Sequence, residues 1–215
     1  MPHYKAGKQE ELIGFQDIQG RVSRAQKKTP LALEAIGFFW LLYYSGCRKS
    51  EAYERTAEDI VTSPDFFIID FHQRKKHGAT VDPLELPRAW PGIPILVELA
   101  EKAKQRKPSN KLLISSPERN KKVTTRVKAH WLFPHINRTW AGVIVKQILG
   151  QQYYPHFLRL NRLTELGSDP TASTVRMKSY SGIKSISALE SYLGKSKKEQ
   201  DAAIDFMNKQ IEQKS

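Results

Sequence analysis

Ala35-Ile36-Gly37-Phe38-Phe39-Trp40-Leu41-Leu42-Tyr43-Tyr44-Ser45-Gly46-Cys47-Arg48-Lys49-Ser50-Glu51 runs from an unbroken apolar segment, through a tight turn, into charge. The apolar part, Ala35 to Tyr44, is far shorter than the ~20 residues a membrane span needs, and Glu34 and Arg48 flank it. It reads as the core of a helix, Leu31 to Tyr44, apolar on most sides and central to the fold. Thr29-Pro30 supplies a start for it, with Thr as cap and Pro at the first helical position. Ser45-Gly46 ends it, and a short second helix is expected from Lys49 to Arg55. Arg48 therefore stands on a helix-to-helix turn with Glu51 three residues on, within reach of it. Cys47, the single cysteine, excludes an internal disulfide, suits a reducing compartment and reads as core, not nucleophile.

Working outward from that turn, residues 1–12 are polar and expected to be flexible, and 15–27 form an amphipathic helix. Phe66 to Phe71 is rich in aromatic and β-branched residues and reads as a strand. Val81 to Leu86 reads as its partner, with Pro83 marking an edge, and Gln73-Arg74-Lys75-Lys76-His77-Gly78 as the basic hairpin loop between them. Leu96 to Arg106 is expected to be helical, Lys111 to Ser115 a short strand, and Val123 to Leu149 mostly helical. Pro155 opens a helix that carries His156 and Arg159 and closes at Gly167. Asp169-Pro170 opens another, and Ser187 with Glu190 and Ser196 with Glu199 are capping boxes. The last helix carries Ile204, Met207 and Ile211 on one face. With no internal repeat and no composition break, the expectation is one mainly helical α+β domain with a small antiparallel sheet.

Thirty-five Lys and Arg face 22 Asp and Glu, a net charge of +13, which points to a polyanionic partner, most simply nucleic acid. A glycine-rich phosphate loop, an HExxH pair and paired CxxC motifs are all missing, so a nucleotide fold and a structural zinc site have no support. No apolar stretch follows the N-terminus, and the chain reads as an intracellular protein, cytoplasmic or nucleoid-associated, with no membrane partner.

Four blocks then follow in order: Ser45-Gly46-Cys47-Arg48-Lys49-Ser50-Glu51; the hairpin with Lys75 and Lys76; His156-Phe157-Leu158-Arg159; and Ser181-Gly182-Ile183-Lys184-Ser185-Ile186-Ser187-Ala188-Leu189-Glu190-Ser191-Tyr192. Each alone is weak, but the ordered set resembles the tyrosine recombinases and phage-type integrases. These read T-G-x-R-x-x-E after an apolar helix, then a hairpin lysine, then H-x-x-R, then a tyrosine nine residues past G-H, near the chain end. The resemblance covers about residues 30–195, and Pro155-His156-Phe157-Leu158-Arg159 with Leu163-Thr164-Glu165-Leu166 is worded most like archaeal and archaeal-virus integrases. Two departures stand out. Ile183 occupies the position where the family has His or Trp, and the N-terminal DNA-clamping domain of most relatives is missing, as in an excised catalytic domain or a short protein.

The resemblance implies a single catalytic domain over residues 1–195 that breaks and rejoins double-stranded DNA, with neither metal, ATP nor any other cofactor. The tyrosine attacks a backbone phosphorus, and a 3′-phosphotyrosyl link stores the bond energy. Tyr192 is then the nucleophile, and Arg48 and Arg159 hold the phosphate oxygens. His156 donates to the phosphate or relays the tyrosine proton. Lys76, or alternatively Lys75, protonates the leaving 5′ hydroxyl. Glu51 holds Arg48, Ile183 walls in the tyrosine, and Lys184 either replaces the donor lost at Ile183 or faces solvent. Residues 196–215 pack on their own domain or exchange between protomers of a dimer or tetramer on DNA. Two other activities fit the same residues: topoisomerase-like strand relaxation, and DNA binding with weak or no catalysis.

Overall fold

The computed structural model describes residues 12–29, 31–70, 83–106, 114–115, 122–123 and 130–167. Six helices carry most of them: α1 (Phe15–Lys28), α2 (Leu33–Ser45), α3 (Lys49–Tyr53), α4 (Ile93–Gln105), α5 (Arg138–Leu149) and α6 (Pro155–Gly167). Strands β1 (Ile60–Thr62), β2 (Phe66–Ile69) and β3 (Leu84–Pro87) form an antiparallel sheet in that order, and β4 (Ile114–Ser115) pairs with β5 (Lys122–Val123). This is the expected mainly helical α+β architecture.

Hydrophobic burial puts α2 at the centre. Every residue from Ile36 to Ser45 is buried, and the helix packs against α3, α4, α5 and α6. Aromatic rings fill the space around it: Phe38 meets Phe133 edge-on at 5.3 Å, and Trp40 stacks on Tyr44 at 5.3 Å. The stretch from Ile13 to Arg21 is tied to α5 and α6. Arg21 donates to the Leu149 carbonyl at the end of α5 (2.7 Å), and the Asn161 side chain on α6 brackets Ile13, accepting from its N–H (2.8 Å) and donating to its carbonyl (3.0 Å). In the sheet, β2 is central and its Phe67 and Ile69 point into the core. β3 is an edge, as Pro83 suggested, since an edge tolerates a residue that cannot donate.

One expectation is corrected, one is met in part, and one strand was not foreseen. Thr29 does not cap α2. It ends α1, its N–H returning to the Ala25 carbonyl at 3.0 Å, and α2 starts from Ala32 with no side-chain cap. Within the expected mostly helical stretch Val123 to Leu149, residues 124–129 lie outside the described residues, and the remainder is helical only in its second half. Val123 lies in β5, residues 130–137 run as turns, and α5 begins only at Arg138, where the Asn137 side chain accepts the N–H groups of Thr139 and Trp140 at 2.9 and 3.0 Å. Strand β1 was not foreseen, for three residues carry too little periodicity to read. The expected helices after Gly167 lie outside the described residues.

Gly92 caps α4 at φ 80°, and a Cβ there would overlap the Trp40 indole. Gly92→Ala combines left-handed backbone strain with overpacking, so unfolding in urea should show a loss of about 2 kcal/mol or more. A change within about 0.5 kcal/mol, the surface-substitution range, would contradict this packing.

Candidate active site

Gly46 closes α2 in the left-handed region at φ 55°, with its N–H on the Leu42 carbonyl at 3.0 Å. Lacking a Cβ, it turns the chain there at little cost. The turn delivers Arg48 in extended conformation as the residue before α3. Glu51, in the first turn of α3, reaches back to it twice: Oε2 accepts the Arg48 backbone N–H at 2.7 Å, and Oε1 accepts from Nη1 at 3.0 Å. The Arg48 side chain stays 62 % exposed, against 19 % for Glu51, so the carboxylate aims the guanidinium without covering it.

His156 and Arg159 lie one turn apart on α6, which packs along α2. His156 is on the exposed side of the helix, whereas Arg159 is only 3 % exposed. A guanidinium this buried needs acceptors, and Nη1 donates to the Gly46 carbonyl at 2.6 Å. The turn that presents Arg48 thus also anchors Arg159. Partial desolvation of the His156 ring, then the positive charges of Arg159 and Arg48, push its pKa below the ordinary value, which favours the neutral imidazole. Three groups from two distant stretches of chain therefore converge: Arg48 as an open cation, Arg159 as a buried one, and His156 as a neutral ring that accepts or donates a proton. Glu51 is the carboxylate that orients Arg48. Planar guanidinium donors of this kind match the oxygens of a phosphate.

Positive charge extends beyond this cluster. Partial burial and then the charge of Arg138, the first residue of α5, lower the pKa of Lys49. Cys47 is buried, and burial pushes its thiol up to about 12, so it is core as expected and no nucleophile. Among the described residues no group of three or more His, Cys, Asp or Glu is placed to hold a metal, and no helix is long and apolar enough to cross a membrane. Lys75, Lys76, Ile183, Lys184 and Tyr192 lie outside the described residues. Sequence reasoning missed the Gly46 carbonyl as the acceptor for Arg159, and it missed Arg55. The only trace of Arg55 was its spacing, four residues after Glu51 and four before Asp59.

The arrangement of helices and sheet is shared with solved recombinases. The XerH site-specific recombinase matches in its pre-cleavage complex with difH substrate (TM-score 0.60, 14 % identity, covering 86 % of this chain and 50 % of that one). The post-cleavage XerH complex with palindromic difH gives TM-score 0.61 over 94 % of this chain and 54 % of that one, also at 14 % identity. XerA recombinase gives 0.56 at 14 % identity, over 92–94 % of this chain in company with the Tn1549 transposon integrase, which was solved with transposon right end DNA and gives 0.54 at 14 %. The shares of those two chains covered are 66 % and 68 %. The chain has the catalytic-domain fold of the tyrosine recombinases. It spans about half the length of the XerH chains it matches. By sequence alone, no family model and no curated protein matches it. Within the tyrosine-recombinase fold, the turn after the central helix and the helix bearing His156 and Arg159 meet in one cluster.

Arg48 and Arg159 should respond unequally to truncation in stability measurements. Arg48→Ala removes an exposed side chain and one surface ion pair, and should change unfolding free energy by no more than ~1 kcal/mol. Arg159→Ala leaves the buried Gly46 carbonyl without this donor and opens a gap, so a loss of about 2 kcal/mol or more is expected. Equal effects in denaturant unfolding would overturn the assigned environments. For His156, the depressed folded-state pKa means that the unfolded chain binds the proton more readily. Its neutral ring contributes stability above its unfolded pKa of about 6.5, and that contribution is lost as pH falls through the folded pKa. An NMR titration of the His156 ring should give a midpoint below about 6.5. A midpoint at or above that value would remove the neutral-imidazole assignment.

Proposed function

We propose that this chain is the catalytic part of a site-specific DNA recombinase or integrase that works through a covalent 3′-phosphotyrosyl intermediate, without metal or ATP. The observation that carries this reading is the convergence of Arg48, His156 and Arg159 at one turn, inside a recombinase fold, on a chain of net charge +13. Arg48 and Arg159 bind the non-bridging oxygens of the scissile phosphate and stabilise the charge that builds on them. The Tyr192 phenol gives its proton to the neutral His156 ring as its oxygen bonds to phosphorus. The bond from phosphorus to the 5′ oxygen breaks, and that oxygen takes a proton from Lys76, or from Lys75 if the hairpin register places it nearer. Reversal with a new 5′ hydroxyl rejoins the strand. Ile183 supplies a wall to the tyrosine but no hydrogen bond, which makes for a slow enzyme.

Residues 1–195 carry the chemistry in this proposal, and the 196–215 helix docks in cis or on a neighbouring protomer of a DNA-bound dimer or tetramer. The substrate is double-stranded DNA of a mobile element, in the cytoplasm at the nucleoid. Relaxation of supercoils without strand exchange would mark the topoisomerase-like alternative, and binding without cleavage the non-catalytic one.

Trapping tests the proposal. A nicked suicide substrate should give a covalent protein–DNA adduct in EDTA, and Tyr192→Phe should bind the same DNA and give none. Adduct formation by the Phe variant, or a strict requirement for Mg²⁺, would overturn the mechanism.

A further inference from the structure

Asn161 stands on α6 two residues past Arg159 and is only 2 % exposed. Its side-chain amide accepts the Ile13 N–H at 2.8 Å and donates to the Ile13 carbonyl at 3.0 Å, across 148 positions of chain. Ile13 is buried and belongs to a fixed frame. It is followed by Gly14, the residue before α1, then by Phe15, which stacks on the Tyr43 ring of α2 at 6.1 Å. Arg21, further along α1, holds the Leu149 carbonyl of α5. Helix α6 therefore has two long-range anchors. Arg159 grips the Gly46 carbonyl at the end of α2, and Asn161 grips the backbone just before α1. Residues two apart on a helix point roughly 200° from each other, so the anchors lie on nearly opposite faces.

A helix held on one face can still turn about that contact, whereas one held on two faces cannot. Side-chain tips lie about 5–6 Å from a helix axis, so a rotation of about 10° moves them by about 1 Å. A displacement of that size can slow a reaction by about 10²-fold. A primary amide suits the task because it sets a donor and an acceptor side by side against one peptide unit. An apolar side chain of similar size would fill the space and leave the Ile13 N–H and carbonyl without this partner. We infer that Asn161 is a positioning residue, which fixes the rotation of α6 and thereby the reach of His156 and Arg159 toward a phosphate held by Arg48. The inference rests on the recombinase reading above.

Asn161→Leu keeps the bulk and removes both bonds. Two readouts are compared with the parent: the His156 ring titration by NMR on the DNA-free protein, and single-turnover cleavage of suicide DNA beside DNA affinity. A freed α6 should bring the ring into water and away from Arg48, so its midpoint should rise toward about 6.5. Cleavage should slow roughly tenfold or more with DNA affinity unchanged. Leu86→Ala, which opens a cavity beneath β3, should lower stability and leave the His156 midpoint at its parental value. A parental midpoint in Asn161→Leu, or an equal rise in Leu86→Ala, would overturn the inference, since Asn161 would then serve stability only. A raised midpoint with parental cleavage, or with cleavage lost only through weaker DNA binding, would overturn it as well. If Asn161→Leu melts below the assay temperature, Asn161→Ser keeps one hydroxyl for Ile13 and is read in the same way. Failure of the parent to cleave would overturn the recombinase reading alone, because the titration is read without DNA and still tests the placing of the cluster.

Discussion

The bond from Arg159 Nη1 to the Gly46 carbonyl joins residues 113 positions apart and is buried. It constrains both partners. Arg159 could not be sequestered inside the protein without acceptors, because an unpaired buried cation is expensive. Gly46 offers its carbonyl there because a left-handed turn ends α2 at that point. The same turn sets where Arg48 emerges. One backbone reversal at the end of the most buried helix therefore fixes two cations relative to each other. The packing of α6 on α2 then adds His156 as the third member.

Division of labour among the cations follows from their surroundings. Arg48 remains open to solvent and is held by a single carboxylate, so its guanidinium stays accessible. Arg159 is built into the wall, which makes its geometry rigid at a cost in desolvation. His156 sits beside both, and their charges add to the partial burial that disfavours its protonated form. A cluster of like charges opposes itself until an anion arrives. The cluster stands at the end of the buried helix α2, with the Glu51, Arg55 and Asp59 contacts beside it.

Much of the fold was legible because periodicity and punctuation agreed. The amphipathic pattern gave α1 almost residue for residue, the apolar run gave α2, and Pro155 and Gly167 bounded α6. Thr29 misled because a Thr-Pro pair opens helices on average, yet here the Thr29 N–H was needed to close α1. In the 123–149 stretch the helix that is described starts only where the Asn137 side chain caps it, a start the expectation of helix throughout did not mark. The acceptor for Arg159 was illegible for a different reason: a backbone carbonyl has no sequence identity.

By itself the sequence determined the order of the blocks, the pairing of Arg48 with Glu51 and the placing of His156 and Arg159 one turn apart, since all of these are local relations within a helix or a turn. It also determined the strong positive balance, which is composition alone. Only the tertiary structure decided that Arg48 is exposed and Arg159 buried, that the two share one turn, and that Arg55 spans the Glu51 and Asp70 carbonyls. Burial and long-range hydrogen bonds depend on which faces pack together, and the packing of α6 on α2 brings together residues more than a hundred positions apart, which no local pattern encodes.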